Sequence, residues 1–198
     1  EIHQIFSPNY QYVIYIDPFA PDAKERLKSE IQKGDVALVW MELVQGGTLD
    51  RIPNDLLEIV RENKDRYGYW VGIDEILMGL YRLDEIASYT DTVLQPDIIT
   101  FSKALTFGTF PVAATLVSEE LMKKATARNK RLVDEMRTIY ANQFGAYIAI
   151  NSIERLIESE QIKKCKNVSN VLKNGLEDIK KDNPYLSALR IFFLICGS

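Results

Sequence analysis

The chain has 198 residues, of which 46% are hydrophobic, 26% charged and 10% aromatic, and its formal net charge is −4. This composition is typical of a soluble globular protein and excludes the collagen-like, disordered and low-complexity classes. The small negative charge carries no nucleic-acid or membrane signature, and no apolar run reaches the ~18 residues that would span a bilayer. We therefore expect neither nucleic acid nor a membrane among the partners.

Histidine and cysteine are both scarce. The single histidine, His3, stands beside the start of the chain, which argues against a histidine-based zinc site or a Ser-His or Cys-His dyad. We expect no metal site. The two cysteines, Cys165 and Cys196, form neither a CxxC motif nor a multi-disulfide frame. We expect both to be reduced in a cytoplasmic protein.

Strand and helix patterns alternate along the first part of the chain. Short β-branched and aromatic runs predict strands at residues 12–16, 36–40, 69–73, 98–101 and 112–117. Between the first two, Asp22 and Glu25 form a capping-box pattern, and the helix that they open ends near Gly34. Between the next two, a helix has Pro53 in its first turn and ends at Gly68.

This alternation predicts an α/β fold with a mostly parallel sheet and helices on both faces. Only ten residues separate strand 98–101 from strand 112–117, too few for a helical crossover, so we expect these two strands to be antiparallel. Ser118 then caps the first of several long helices. Later elements are predicted as helices 119–136, 144–158 and 160–181 and a strand 189–195. The change of pattern predicts one domain over residues 1–138 and another over 139–198.

Two charged residues follow predicted strands directly. Asp74 comes after strand 69–73, and Lys103 lies just beyond strand 98–101. Ligands of open α/β sheets bind at the carboxyl ends of the strands, so a carboxylate and a lysine there could face one crevice. From spacing alone, a surface ion pair of little consequence is the favoured alternative.

The residues around Asp74 and Lys103 favour a functional site over a surface ion pair. They read Trp70-Val71-Gly72-Ile73-Asp74-Glu75, with Gly79 and Arg82 downstream, and then Pro96-Asp97-Ile98 ahead of Lys103. Two further segments read Glu42-Leu43-Val44-Gln45-Gly46 and Thr138-Ile139-Tyr140-Ala141-Asn142. Together they resemble the class III aminotransferases, which depend on pyridoxal 5′-phosphate and have the fold called type I. The resemblance runs from about residue 10 to residue 180.

The resemblance implies a role for each matched residue. Lys103 would form the Schiff base with the cofactor aldehyde and then move a proton at the substrate α-carbon. Asp74 would pair with the pyridine nitrogen and keep it protonated, so that the ring withdraws electrons. Ile76 would pack on the face of the ring, although a plain core residue would make the same apolar contact.

Three more roles concern the substrate and the neighbouring subunit. Glu42 and Gln45 would lie near the substrate, against the alternative that Glu42 is a solvated loop residue. Thr138 would donate its hydroxyl to the cofactor phosphate of a neighbouring subunit, which implies a homodimer. The competing interpretation of Thr138 is a helix N-cap.

The sequence also departs from the family pattern. Leu77 stands where the family often has a glutamine that hydrogen-bonds the ring oxygen of the cofactor, and a leucine cannot do so. Gly79-Leu80-Tyr81-Arg82-Leu83-Asp84 replaces the usual Gly-x-Gly-Arg-Thr-Gly, and Leu105 to Pro111 keeps only part of the glycines. The phosphate-binding turn has no counterpart, and whole family members are longer. We therefore expect a segment of a larger enzyme: the second half of its large domain and the start of its C-terminal domain.

The main hypothesis is an aminotransferase that passes an amino group from an amino-acid or amine donor to a keto acid or aldehyde. The alternatives are a pyridoxal-phosphate-dependent aminomutase and a non-catalytic α/β interaction domain that has lost the cofactor pocket. A nucleic-acid interface is disfavoured, because acidic residues surround the basic cluster and no aromatic residues interleave it. We expect a solvated helix face at Lys123, Lys124, Arg128, Lys130 and Arg131.

Overall fold

The computed structural model describes residues 12–83, 85–158, 161–183, 190–192 and 195–197. The strands are β1 (Leu38–Met41), β2 (Trp70–Asp74), β3 (Ile98–Phe101), β4 (Ala114–Val117), β5 (Arg190–Phe192) and β6 (Ile195–Gly197). The helices are α1 (Ala23–Gln32), α2 (Asn54–Tyr67), α3 (Glu119–Ile139), α4 (Gln143–Glu158) and α5 (Gln161–Asp182), with a 3₁₀ turn at Lys103–Thr106. His3 lies outside the described residues.

The first four strands form one sheet in the order β1-β2-β3-β4. Strands β1, β2 and β3 are parallel, and β4 runs antiparallel to β3, which confirms the expectation from the short connection. The predicted strand at 12–16 is wrong: these residues form no strand, and the side chain of Tyr12 is 91% exposed. A β-branched and aromatic run becomes a strand only where a neighbouring strand pairs with it, and the described sheet offers none there.

Helices α1 and α2 cover one face of this sheet. Their buried residues Ile31, Leu57 and Val60 pack in one core with Val71 and Ile73 of β2. The helical spacing of the apolar residues in α2 therefore predicts correctly which side of the helix is buried. On the opposite face of the sheet, Leu38 and Trp40 are 42% and 44% exposed in this chain.

Three of the five predicted helix-end residues are confirmed, and Pro53 is the N-cap of α2 instead of a residue of its first turn, since its ψ of 135° is not helical. Gly34 and Gly68 have φ of 75° and 71°; Gly34 follows Lys33, the C-cap of α1, and Gly68 directly follows α2, where a left-handed residue ends a helix. Ser118 caps α3 by accepting a hydrogen bond from the N–H of Leu121, 3.3 Å away. The capping box at Asp22 is wrong, because its φ of −98° and ψ of 9° leave its side chain without a capping hydrogen bond.

The basic cluster lies on an exposed helix, as predicted. Helix α3 has no buried residue and is kinked at Asn129, whose φ is −156° and ψ 81°. Lys123 pairs with Glu119 four residues earlier, at 2.6 Å, and similar pairs recur along the helix. These solvated ion pairs contribute little to stability and form no basic surface.

Two features near the C-terminus complete the fold. Strands β5 and β6 pair antiparallel, so the single strand predicted over 189–195 is wrong, although residues 189, 193 and 194 lie outside the described part. The domain boundary predicted after residue 138 falls at the end of α3 and stays a prediction. In the described residues, no helix is both long and apolar enough to cross a membrane.

Candidate active site

The carboxyl edge of the sheet brings three of the predicted site residues together. Asp74, the last residue of β2, pairs in register with Thr100 of β3, and Glu42 directly follows the last residue of β1. Burial raises the pKa of Glu42 above its usual value, and the N–H of Gly46 lowers it. Asp74 also raises this pKa and Lys103 lowers it, so both charges act on the Glu42 carboxyl. Glu42 is thus half-buried rather than a solvated loop residue.

The Asp74 carboxylate is oriented by the turn that follows it. Its Oδ1 accepts a hydrogen bond from the N–H of Ile76 at 2.9 Å, and the side chain is half-buried. That bond fixes the direction of the carboxylate and does not involve Oδ2. Ile76 is itself half-buried and lies in the same turn, two residues beyond Asp74.

Lys103 begins the 3₁₀ turn beyond β3, and its side chain is exposed. Its φ of 30° lies in the left-handed region, which is strained for a residue other than glycine. Ser102 supports this turn, because its hydroxyl donates to the carbonyl of Val112 at 2.8 Å. Strain of this kind persists where surrounding contacts impose it, and it often marks functional sites.

Glycine positions close to the site show how tightly it packs. A Cβ on Gly46 would lie 2.8 Å from Cδ2 of Leu77 and 3.2 Å from Oε1 of Glu42. Leu77 therefore packs against the loop that carries Gln45. Gln45 is held in that loop, since its N–H donates to Asp50 at 2.9 Å and its side chain accepts from Thr48 at 3.5 Å.

Thr138 lies in the last turn of α3, away from the start of a helix. Its hydroxyl donates to the carbonyl of Asp134 at 3.0 Å, so the N-cap interpretation is wrong. Asn142 takes that role, because its Oδ1 accepts from the N–H of Gly145 at 2.8 Å near the start of α4. In the described part of the chain, Thr138 makes no hydrogen bond with the other site residues.

Glu75 was assigned no role from the sequence, yet it is one of the most buried polar residues that the structure describes. It is 1% exposed, and its Oε1 accepts from both the N–H and the hydroxyl of Ser88, each at 2.7 Å. Burial raises the pKa of Glu75 to about 7, although donors from Ser88 and Tyr89 lower it. No local signal marks this burial, because Glu75 stands between the charged Asp74 and Ile76.

The side chains at the carboxyl edge of the sheet can bind part of pyridoxal phosphate. The free oxygen of Asp74 suits a protonated ring nitrogen, and the exposed amine of Lys103 suits an aldehyde. The hydroxyl of Thr100 is buried beside Asp74 without a hydrogen bond, so this edge still has an unused polar group. Within the described ranges, no group of three potential metal ligands occurs.

Comparison with known proteins places the chain. A family model described as "Aminotransferase class-III" matches residues 5–198. An acetylornithine aminotransferase of Oceanobacillus iheyensis is 28% identical over 96% of this chain and 45% of its own length. The mitochondrial ornithine aminotransferase of Drosophila melanogaster is 26% identical over 89% of this chain and 39% of its own. The chain thus spans about half the length of the curated relatives it matches.

Solved structures show the same fold. An N-acetylornithine aminotransferase from Stenotrophomonas maltophilia matches with a TM-score of 0.73 and 26% identity, over 88% of this chain and 44% of that one. A taurine:2-oxoglutarate aminotransferase from Bifidobacterium kashiwanohense, solved in complex with PLP and glutamate, matches with a TM-score of 0.74 and 20% identity. That second match covers 96% of this chain and 43% of the other. The chain belongs to the class III aminotransferase family, whose members depend on pyridoxal phosphate and share the type I fold.

Proposed function

We propose that the protein is a pyridoxal-phosphate-dependent aminotransferase that moves an amino group from an amino-acid or amine donor to a keto acid or aldehyde. The observation that carries the proposal is the electrostatic neighbourhood of Glu42, Asp74 and Lys103 at the carboxyl edge of the sheet. Membership of the class III family supports the same reaction.

When bound, pyridoxal phosphate supplies an aldehyde that carries the amino group and a ring that withdraws electrons. Asp74 would accept a hydrogen bond from the protonated ring nitrogen through Oδ2, and the N–H of Ile76 holds the carboxylate in a fixed direction. Lys103 would hold the cofactor aldehyde through Nζ and, as a free amine, would move the proton at the substrate α-carbon. The Ile76 side chain would pack on the ring face and exclude water from it.

Glu42 and Gln45 are proposed to contact the substrate. Both lie in the loop beyond β1, and the Lys103 amine acts on the Glu42 carboxyl. An ionised Glu42 would attract the ammonium group of an amine donor toward Lys103. Leu77 packs against this loop and gives the site an apolar surface close to Glu42.

A homodimer is the proposed assembly. The second half of α3 and the residues after it carry apolar side chains that are at least half exposed: Leu132, Met136, Ile139, Tyr140 and Tyr147. Thr138 lies within this surface, where its hydroxyl could reach a cofactor phosphate held by a second copy. A contiguous exposed apolar surface is typical of a subunit interface. We further propose a cytoplasmic location, in keeping with the expectation that the two cysteines are reduced.

A half-reaction tests the function directly. The full-length protein is loaded with pyridoxal phosphate and given acetylornithine, ornithine or taurine, donors named for similar proteins. An aminotransferase releases about one keto or aldehyde product per site without an acceptor. An aminomutase would instead return a rearranged amine and no such product. A protein that neither binds the cofactor nor converts any donor would be the non-catalytic interaction domain.

A further inference from the structure

We propose that Glu75, held by Ser88, is a positioning residue that fixes Asp74 at the ring nitrogen of the cofactor. The inference rests on the proposed function and adds a residue to it. Glu75 directly follows Asp74 but its carboxylate points into the protein, with 1% of the residue exposed. It therefore acts through Asp74 and does not touch the reacting atoms.

Three polar groups of Glu75 hold the turn that carries Asp74, while its Oε2 is buried without a hydrogen-bond partner among the described residues. Its N–H donates to the carbonyl of Thr100 at 2.9 Å, which ties the turn to β3. Its carbonyl accepts from the N–H of Gly79 at 3.0 Å, which closes the turn. Its Oε1 accepts two hydrogen bonds of 2.7 Å from Ser88. The backbone direction of Asp74 is thus set from three sides.

The loop that supplies Ser88 is itself folded back on the same turn. The N–H of Leu80 donates to the carbonyl of Ile86 at 2.7 Å, and that of Tyr81 donates to Glu85 at 2.9 Å. Both Leu80 and Tyr81 have left-handed φ values of 59° and 65°, so this return carries backbone strain. The two hydrogen bonds from Ser88 to Glu75 offset the cost of that strain and hold the loop at the carboxyl edge of the sheet.

The choice of a glutamate also needs a reason, since burying a carboxylate costs more than burying a leucine of similar volume. Its benefit is the paired acceptance of an N–H and an O–H from one residue, which an apolar side chain cannot provide. Space in this turn is limited as well, because a Cβ on Gly79 would lie 2.6 Å from the ring of Phe101. A small displacement here would move Asp74 relative to the ring nitrogen.

The test measures the dissociation constant of pyridoxal phosphate for the full-length protein, by absorbance titration. Glu75→Gln keeps an acceptor for Ser88 and should bind within about threefold of the wild type. Glu75→Leu has no acceptor and should bind about tenfold more weakly, and Ser88→Ala should bind more weakly by a smaller factor. Thermal denaturation far above the titration temperature verifies that each variant is folded.

A double-mutant cycle separates positioning from a general loss of structure. In an Asp74→Ala background there is no carboxylate to position, so Glu75→Leu should change the cofactor dissociation constant by less than about twofold. An unchanged tenfold loss in that background would overturn the inference and leave the proposed function standing. If Glu75→Leu does not fold, Ser88→Ala is run through the same cycle with the same criterion. Failure of the wild type to bind the cofactor would overturn both proposals.

Discussion

Lys64 and Asp97 form an ion pair at the amino end of the central strands, with 2.7 Å between Nζ and Oδ2 and only 7% of the Asp97 side chain exposed. The same Oδ2 accepts the N–H of Val71 in β2 at 2.9 Å. The carbonyl of Asp97 accepts from the N–H of Ser118, the cap of α3, at 2.7 Å. One carboxylate residue thus joins β2, β3 and α3 at the edge opposite the candidate site.

Replacing Asp97 should therefore destabilise the fold without altering the site. Asp97→Asn leaves the Lys64 ammonium without its charged partner, and the expected loss in unfolding free energy is about 3 kcal/mol. Urea denaturation checks the value. Asp55→Asn is the matched control, because Asp55 pairs with Lys24 where both side chains are about half exposed, and it should cost less than about 1 kcal/mol. Equal losses of unfolding free energy in the two variants would show that the buried Asp97 pair stabilises the fold no more than an exposed ion pair does.

Phe107 is expected to be a strained residue, in the segment that directly follows the 3₁₀ turn begun by Lys103. Its φ is 50° and the residue is 55% exposed, so burial of the side chain does not offset the backbone strain. Phe107→Gly should increase the unfolding free energy by about 1 kcal/mol and therefore raise the melting temperature. Phe107→Ala keeps the Cβ and should give no such gain. Stabilisation by alanine as large as by glycine would attribute the effect to the lost aromatic ring instead of the backbone.

Glu75 should make stability depend on pH. Because its pKa is about 7 in the folded protein and 4.5 ordinarily, only the folded state holds the proton between these values. Stability from this group is therefore full below pH 4.5 and falls as pH rises to 7, by about 3 kcal/mol. Glu75→Gln stays neutral, so its unfolding free energy relative to the wild type should rise across that window. A difference that is flat with pH would mean that Glu75 is already ionised in the acidic range.

The exposed apolar surface on α3 should mediate dimer formation. Ile139→Asp places a charge in that surface, where Ile139 is 72% exposed in the single chain. Light scattering of the full-length protein should show a dimer that shifts toward monomer, with weaker cofactor binding if Thr138 serves the partner site. Ala127→Asp, an exposed position on the same helix ahead of the kink, should leave the dimer intact. An unchanged dimer in Ile139→Asp would place the interface elsewhere.

Much of the fold could be predicted from local pattern. Strand 98–101 is found at the predicted residues, because three apolar residues and Thr100 stand between polar neighbours and two other strands flank it. Strand 12–16 fails although its pattern is as strong, since strand formation depends on a partner that composition does not reveal. The class III resemblance is confirmed by the family match over residues 5–198.

The site was less predictable in its supporting contacts than in its charged residues. Asp74 and Lys103 follow strands and so could face one crevice, but spacing alone favoured a surface ion pair, and the resemblance to the family was needed to assign them to one site. The left-handed backbone at Tyr81 and Phe107 could not be foreseen, because neither side chain favours positive φ. The bonds from Ser88 to Glu75 span thirteen residues of loop, and no local periodicity encodes such a contact. The roles proposed for the site residues stay predictions: Lys103, Asp74, Ile76, Thr138, Glu42 and Gln45.

Covalent capture of the cofactor tests the central claim most directly. The full-length protein is incubated with pyridoxal phosphate, reduced with borohydride, digested and analysed by mass spectrometry, with Lys103→Arg as the control. We predict one cofactor adduct per chain, on Lys103, and none in the variant. An adduct on another lysine, or no adduct in the wild type, would contradict the account.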